Sequence, residues 1–447
     1  MNSFFKEFKT VGKDEWIAKI HADLKGKDPA LLEHHDEIEE ISFSSVYHVS
    51  DNKKHETPGA FPYTRGLKIN LNDWKNTAFV QVKDEKEANK QILHFLMTGA
   101  DALWIVGEKE NIDWNVVLNE VQLEYIHVQF SVDSIEDVNT IKSIAAHTPN
   151  TVHFNLDFVA NATLSLNEYA ACFKQEQQRF ALVNGFGVQQ SGATTWQEVA
   201  FCLNTGHEYL VQLMDEGFSI DEAAACIGFH VGIGSNYFYE IAKIRSLRSL
   251  WAKIIKAYSP EHDCSYNCSI TAVIGHANKS LIDPHTNLLR QTTEVMSALN
   301  AGIENIVTLP HDLYSDQGVD GISQRMAINL PLILKEESYL DKVVDPIGGS
   351  YTLETLTEMI GKKSWEQFQN LEALGGLFND AAVQAFKKAV ETKRSLREKA
   401  FLAGDILLIG INKFDNPEPV TSNWKALPSY LGMLPLNYEQ ITKTISA

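Results

Sequence analysis

The residues best placed for chemistry sit at the ends of a series of strand-like runs: Val106-Gly107, Asp133, Asp157, Gly185-Phe-Gly187, Gly232-Ile-Gly234, Gly275-His276 and Pro310-His-Asp312. Glycine dominates the set. It allows a ligand or a neighbouring segment to approach the backbone closely, but taken singly each glycine reads first as a tight turn. His276 is the strongest candidate for a ligand-contacting side chain, because it closes a run and precedes the polar loop of Asn278 and Lys279. A lone histidine at a strand end is as often structural. His262, Cys264, Cys268 and His276 suggest a metal set, yet their spacing matches no common zinc pattern and Cys268 begins a strand, so no metal is expected. His311 and Asp312 are adjacent on an extended run, where side chains point apart, which disfavours an acid–base pair. The chain carries no nucleophile elbow, phosphate loop or His-Glu-x-x-His helix.

The elements that must hold these ends repeat. In Thr151-Val-His-Phe-Asn-Leu-Asp-Phe158, Val152, Phe154, Leu156 and Phe158 share one face, and His153, Asn155 and Asp157 the other. Ile126–Asp133 repeats the pattern, with His127, Gln129 and Ser131 on the polar face. Further runs occur at Thr77–Val82, Ala102–Val106, Phe180–Val188, Cys226–Ile233, Ser269–His276 and Asn305–His311, with helical spacing between them. Eight strand–helix units over roughly 250 residues are the size of a (β/α)₈ barrel, a TIM barrel of the α/β class. A doubly wound open sheet has the same alternation but wants a glycine-rich turn after its first strand, where this chain has Val82-Lys-Asp-Glu-Lys86. In a barrel the polar faces of His127, Gln129, His153 and Asn155 line the bore and need partners: water, one another or a ligand.

Residues 1–60 read as an N-terminal arm, with one amphipathic helix over Lys13–Leu24 whose stripe of Trp16, Ile17, Ile20 and Leu24 must lie on the barrel or on another subunit. Residues 61–340 hold the barrel. Residues 341–447 form a helical extension, from Thr355 through Arg397 with a break at Leu374-Gly-Gly376, and then an irregular, proline-bearing tail. A formal charge of −19 argues against nucleic acid as a partner. No apolar run approaches the roughly 20 residues that span a bilayer. Five scattered cysteines and the lack of a signal-peptide core point to the cytoplasm.

Four segments carry a family resemblance: Phe61-Pro-Tyr-Thr-Arg-Gly66, Asn184-Gly-Phe-Gly-Val-Gln-Gln-Ser-Gly-Ala193, Val231-Gly-Ile-Gly-Ser-Asn-Tyr-Phe-Tyr-Glu-Ile-Ala-Lys243 and Asp345-Pro-Ile-Gly-Gly-Ser350. In order and in register, they resemble the methylmalonyl-CoA mutase family of acyl-CoA mutases from about residue 13 to about 415. The resemblance implies a barrel through whose bore the pantetheine arm of coenzyme A threads. It marks Tyr63, Thr64, Arg65 and Gln189 as substrate-binding candidates, beside His276 from its place at a strand end. It also implies a cobalamin domain with an Asp-x-His-x-x-Gly motif, but the one Asp-x-His here, Asp283-Pro-His285, has Leu288 where the glycine belongs.

Departures from the family pattern fall on the reactive shell. Where catalytic members have a tyrosine and a histidine around the acyl carbonyl, this chain has Phe186 and Gly187. The stretch Leu67–Trp74 lacks the family's tyrosine and its Arg-Gln-Tyr-Ala-Gly run, and Asn161–Gln178 contains no arginine for a substrate carboxylate. Losing one charge-stabilising donor typically costs about 3 kcal/mol of transition-state stabilisation, so no catalytic residue is assigned. The pattern resembles the family's small, non-catalytic subunit, paired in a heterodimer with a large subunit that carries adenosylcobalamin, this chain binding no cofactor itself. Two alternatives stay open: an acyl-CoA mutase barrel active with a separate cobalamin-binding chain, and a module that binds coenzyme A or acyl-CoA without transforming it.

Overall fold

The computed structural model describes residues 7, 9–51, 56–146, 148, 150–174 and 178–445. Its centre is a sheet of eight parallel strands: β1 (Lys75–Val82), β2 (Ala102–Gly107), β3 (His127–Ser131), β4 (Val152–Phe154), β5 (Ala181–Asn184), β6 (Ile227–Ile233), β7 (Ile270–Ile274) and β8 (Asn305–Thr308). Strands pair in the order β4-β3-β2-β1-β8-β7-β6-β5. The circle closes through a bridge between Leu156 and Ala181, with Leu156 N donating to Phe180 O and Leu182 N to Leu156 O, each at 2.9 Å. The fold is a TIM-like barrel with alternating helices.

Period-two patterning sets which way each strand faces. Ala78, Val80 and Val82 of β1, Val128 and Phe130 of β3, and Ala272 and Ile274 of β7 face the surrounding helices and join one continuous core. The helices start where capping chemistry allows. Asp84 accepts from Glu87 N ahead of Glu85–Met97, and Thr194 with Gln197 forms a reciprocal box ahead of Thr195–Asp215.

Two stretches depart from the sequence reading. Phe180–Val188 is not one strand: β5 stops at Asn184, whose side chain accepts from Gly187 N at 3.0 Å and caps a short helix, Gly185–Gln190. The apolar run masked that cap. The tail is not wholly irregular, since Tyr438–Ile445 is helical. The extension consists of Tyr351–Ala373 and Asp380–Ala403, the second ending at Gly404 in the left-handed region.

The arm engages its own chain through a hairpin of two short strands, Glu33–Asp36 and Ile41–Ser44. At its turn Glu39 accepts from Thr195 N (2.9 Å) and Thr195 Oγ1 (2.7 Å) and pairs with Arg397. Glu40 pairs with Lys363 (3.0 Å) and with Lys393. The arm helix Lys13–Asp23 contributes no buried residue, and Ile17 keeps 37% of its surface in solvent. Among the described residues no helix is long and apolar enough to cross a membrane.

Candidate functional site

The bore is crossed by side chains that bond to one another. Gln129 of β3 donates through Nε2 to Thr271 Oγ1 of β7 at 3.1 Å, and these strands are not neighbours, so the bond spans the interior. The Gln129 Oε1 atom accepts from Asn155 Nδ2 at 3.1 Å and lies 2.9 Å from His230 Nε2. Burial pushes the His230 imidazole down to about 3, so it is neutral and donates. His127 and His153 lie one layer nearer the N-terminal ends of the strands, rings stacked at 6.0 Å, both shifted down by burial. Gln129, Asn155, His230 and Thr271 thus satisfy one another, whereas His153 Nδ1 is buried with no hydrogen-bond partner among the described residues.

Nearer the C-terminal mouth the bore is apolar. Val273, Val307 and Leu309 pack with Phe79, Trp104, Phe186 and Leu313 in a cluster separate from the outer core. Trp104 stands edge-on to His230 at 4.7 Å and donates Nε1 to Ser131 Oγ at 2.9 Å. Sequence reasoning missed Phe79 and Trp104 as bore residues. Their alternation with Ala78, Val80, Leu103 and Ile105 was the available signal, weakened because both faces of these strands are apolar.

The mouth itself is covered by the chain. A β-carbon on Gly187 would lie 2.6 Å from the Tyr430 ring, so only glycine admits that ring here. Tyr430 Oη donates to Asp157 Oδ2 at 3.0 Å, and Asp157 also accepts from Ala160 N at 3.0 Å. Burial raises the Asp157 carboxyl above its ordinary range. Gly275 has a similar role, since a β-carbon there would collide with the Gln190 amide. Glycines that in the sequence read as turns, or as room for a ligand, make room for Tyr430 and Gln190.

Beside this lies a cavity of about 110 Å³ lined by Gln189, Glu198, Glu240, Lys243, Arg397 and Tyr438 among others. Fully buried Lys243 Nζ contacts Glu198 Oε2 at 2.6 Å, pairs with Glu240 and donates to Gly232 O; Gly232 N donates to Glu198 Oε1 at 2.8 Å. Burial and the nearby Glu240 push Glu198 up to about 8 against the opposing pull of Lys243. No sequence signal announced this trio. Its partners lie 45 residues apart on two helices that also read as plain core. Because the folded pKa of Glu198 exceeds its unfolded value, near 4.3, folding holds a proton. That stabilisation is complete at acid pH and is lost as pH rises through about 8. The melting temperature should therefore fall between pH 6 and pH 8.5, with a shallower fall in Glu198→Gln; equal slopes by differential scanning fluorimetry would contradict this assignment.

The candidate residues do not converge. Gln189 and His276 are at the C-terminal mouth. Tyr63, Thr64 and Arg65 belong to the opposite rim: Tyr63 packs on Tyr266, just ahead of β7, at 5.9 Å, and Arg65 pairs with Asp345. His276 is buried rather than open to the mouth. Among the described residues no group of three or more histidine, cysteine or acidic side chains is arranged to hold a metal ion. A cobalamin histidine does not fit either. Asp283 accepts from the Thr286 hydroxyl instead of orienting His285.

Comparison with known proteins places the chain in a family. A family model described as methylmalonyl-CoA mutase matches residues 150–428. The chain is 32% identical over 444 residues to the methylmalonyl-CoA mutase small subunit of Porphyromonas gingivalis, covering 92% of this chain and 71% of that one. It is 29% identical over 387 residues to the methylmalonyl-CoA mutase small subunit of Propionibacterium freudenreichii subsp. shermanii, covering 81% and 60%. With the methylmalonyl-CoA mutase of Cereibacter sphaeroides it shares 31% over 465 residues, covering 91% and 64%. The chain thus spans between 60% and 71% of the length of these relatives.

Proposed function

Because the chain belongs to the methylmalonyl-CoA mutase family, we propose that it is a small, non-catalytic subunit that supports a cobalamin-bearing large subunit in a heterodimer. Adenosylcobalamin and the isomerisation of methylmalonyl-CoA and succinyl-CoA then belong to the partner. One observation carries the reading: the Tyr430 ring occupies the space over Gly187 where catalytic relatives place an imidazole. Phe79, Trp104 and Phe186 add to it by filling the bore that would hold pantetheine. Gln189 then has a structural role at the mouth, and Tyr63, Thr64 and Arg65 brace the far rim.

Support for a partner comes from the arm. Its hairpin is anchored to this barrel, while on Lys13–Asp23 Ile17 is exposed and Trp16 and Ile20 are only half-buried. Covering Trp16, Ile17 and Ile20 would stabilise a complex by roughly 25 cal/mol per Å² of apolar surface. The five unpaired cysteines suit a reducing cytoplasm.

Co-expression with the cobalamin-bearing large subunit should give a 1:1 complex. Its turnover should be abolished by substitutions around the large subunit's acyl pocket and changed by less than about twofold by Gln189→Ala in this chain. Failure to associate, or turnover by this chain when supplied with adenosylcobalamin and a separate cobalamin-binding protein, would overturn the proposal.

A further inference from the structure

The tail runs as a strap over the C-terminal rim, and its hydrogen bonds fall at separate points. Lys425 N donates to Tyr314 O (2.7 Å), Leu436 N to Gln190 O (2.7 Å), and Tyr438 N to Ala277 O (3.1 Å). Asn437 Nδ2 donates to His276 O at 2.8 Å. Tyr430, Met433 and Leu436 are buried beneath the strap, while Leu434 between them is 63% exposed. Opening the strap breaks these bonds and the one from Tyr430 to Asp157 and uncovers Tyr430, Met433 and Leu436, an opening of one surface segment rather than of the barrel.

The last latch closes on the backbone carbonyl of His276. Its backbone is fixed on both sides, through the bond from Asn437 and through His276 N donating to Gln190 Oε1 at 3.0 Å. The imidazole is 5% exposed, and neither ring nitrogen has a hydrogen-bond partner among the described residues. Tyr314 stands edge-on at 5.1 Å. The charged groups nearby offer no counter-ion. Lys279 is cationic and paired with Glu294 at 2.7 Å, Asp312 accepts from Asp320 N at 2.7 Å and from Ser323, and Glu439 accepts from Leu281 N at 2.6 Å. On the neighbouring strand end His311 is a second buried imidazole. A proton added to His276 under the closed strap would thus be an unpaired buried cation.

We propose that residues 427–438 form an acid-released lid on the barrel mouth, with His276 as the group whose protonation favours the open form. Lifting the strap gives both ring nitrogens access to water, where an imidazole titrates near 6.5. Closed, burial and the nearby Lys279 hold it down to about 3. The depressed value belongs to the closed form, so closure is fully favoured above about 6.5 and weakens as pH falls below it, by up to about tenfold per pH unit. The lid stands on this geometry whether or not the chain turns over a substrate.

Amide hydrogen exchange of the full chain by mass spectrometry at pH 7.5 and pH 5.5, referenced to intrinsic rates and to the helix Thr195–Asp215, reads the lid directly. Protection of residues 428–438 should drop about tenfold at pH 5.5 in the wild type. That drop should vanish in His276→Phe and in His276→Gln, and survive in His311→Asn. Two replacements of different polarity keep the test intact if one fails to fold. Asn437→Ala should lower protection at both pH values while keeping the acid step. Unchanged wild-type protection between the two pH values, or an equal drop in both His276 variants, would overturn the proposal.

Discussion

Lys243→Met is expected to destabilise the protein by about 3–5 kcal/mol at neutral pH, the usual cost of removing one partner from a buried ion cluster. The side chain of Lys243 has no solvent exposure, and its ammonium pairs with both Glu198 and Glu240. Methionine fills most of the volume, so the effect reports charge rather than a cavity. Once the ammonium is gone, Glu240 must join Glu198 in holding a proton to stay buried. The penalty should therefore shrink when urea unfolding is repeated at pH 5. Adding Glu240→Gln to Lys243→Met should recover part of the loss at pH 7.5. A single-variant cost below about 1 kcal/mol would mean that the trio is solvated.

Gly187→His introduces the imidazole that the family resemblance implies for catalytic members, and the expected result is loss of stability without gain of activity. The new β-carbon falls 2.6 Å from the Tyr430 ring, and the ring of the new side chain needs the same space. Tyr430 must leave its contacts with Val188, Phe201 and Met433 and its bond to Asp157. Forfeiting a buried aromatic side chain costs about 3–5 kcal/mol when phenylalanine or tryptophan is cut to alanine, and a similar loss is expected in urea titrations. Tyr430→Ala combined with Gly187→His should cost less than the sum of the two single changes, because the same ring is removed only once. Strict additivity would show that the two positions do not meet.

The strand register was readable because period-two alternation survives in Ile126–Asp133 and Thr151–Phe158, where one face is polar and the other apolar. Apolar residues outside and polar residues inside then place Gln129, His153 and Asn155 without any long-range information. Where both faces are apolar, as around Phe79 and Trp104, alternation loses its contrast and the filled bore was not visible. The cap at Asn184 was hidden for a related reason, since Phe180–Val188 is a continuous run of strand-compatible residues apart from that one side chain and its glycines.

The mouth was legible only as a set of missing groups. Phe186 and Gly187 could be read as departures, but nothing near Tyr430 has a periodicity that says where its ring goes, and Gly187 states only that some bulky neighbour is close. Tyr63 and Arg65 sit in a recognisable motif, yet a motif does not say which end of the barrel it occupies. The contacts with Tyr266 and Asp345 place it at the rim opposite His276. Long-range pairs such as Glu198 with Lys243 and Glu39 with Arg397 depend on packing between elements far apart in the chain, which local pattern does not encode.

The most direct test of a filled and covered barrel is isothermal titration calorimetry of the isolated full chain, at neutral pH, with coenzyme A and with methylmalonyl-CoA. With Phe79, Trp104 and Phe186 in the bore and Tyr430 over the mouth, neither titration should give a saturable heat at ligand concentrations up to about 1 mM, equivalent to binding weaker than about −4 kcal/mol. A stoichiometric, micromolar isotherm for either ligand would contradict it, because the pantetheine arm would then have to lie where the structure places side chains.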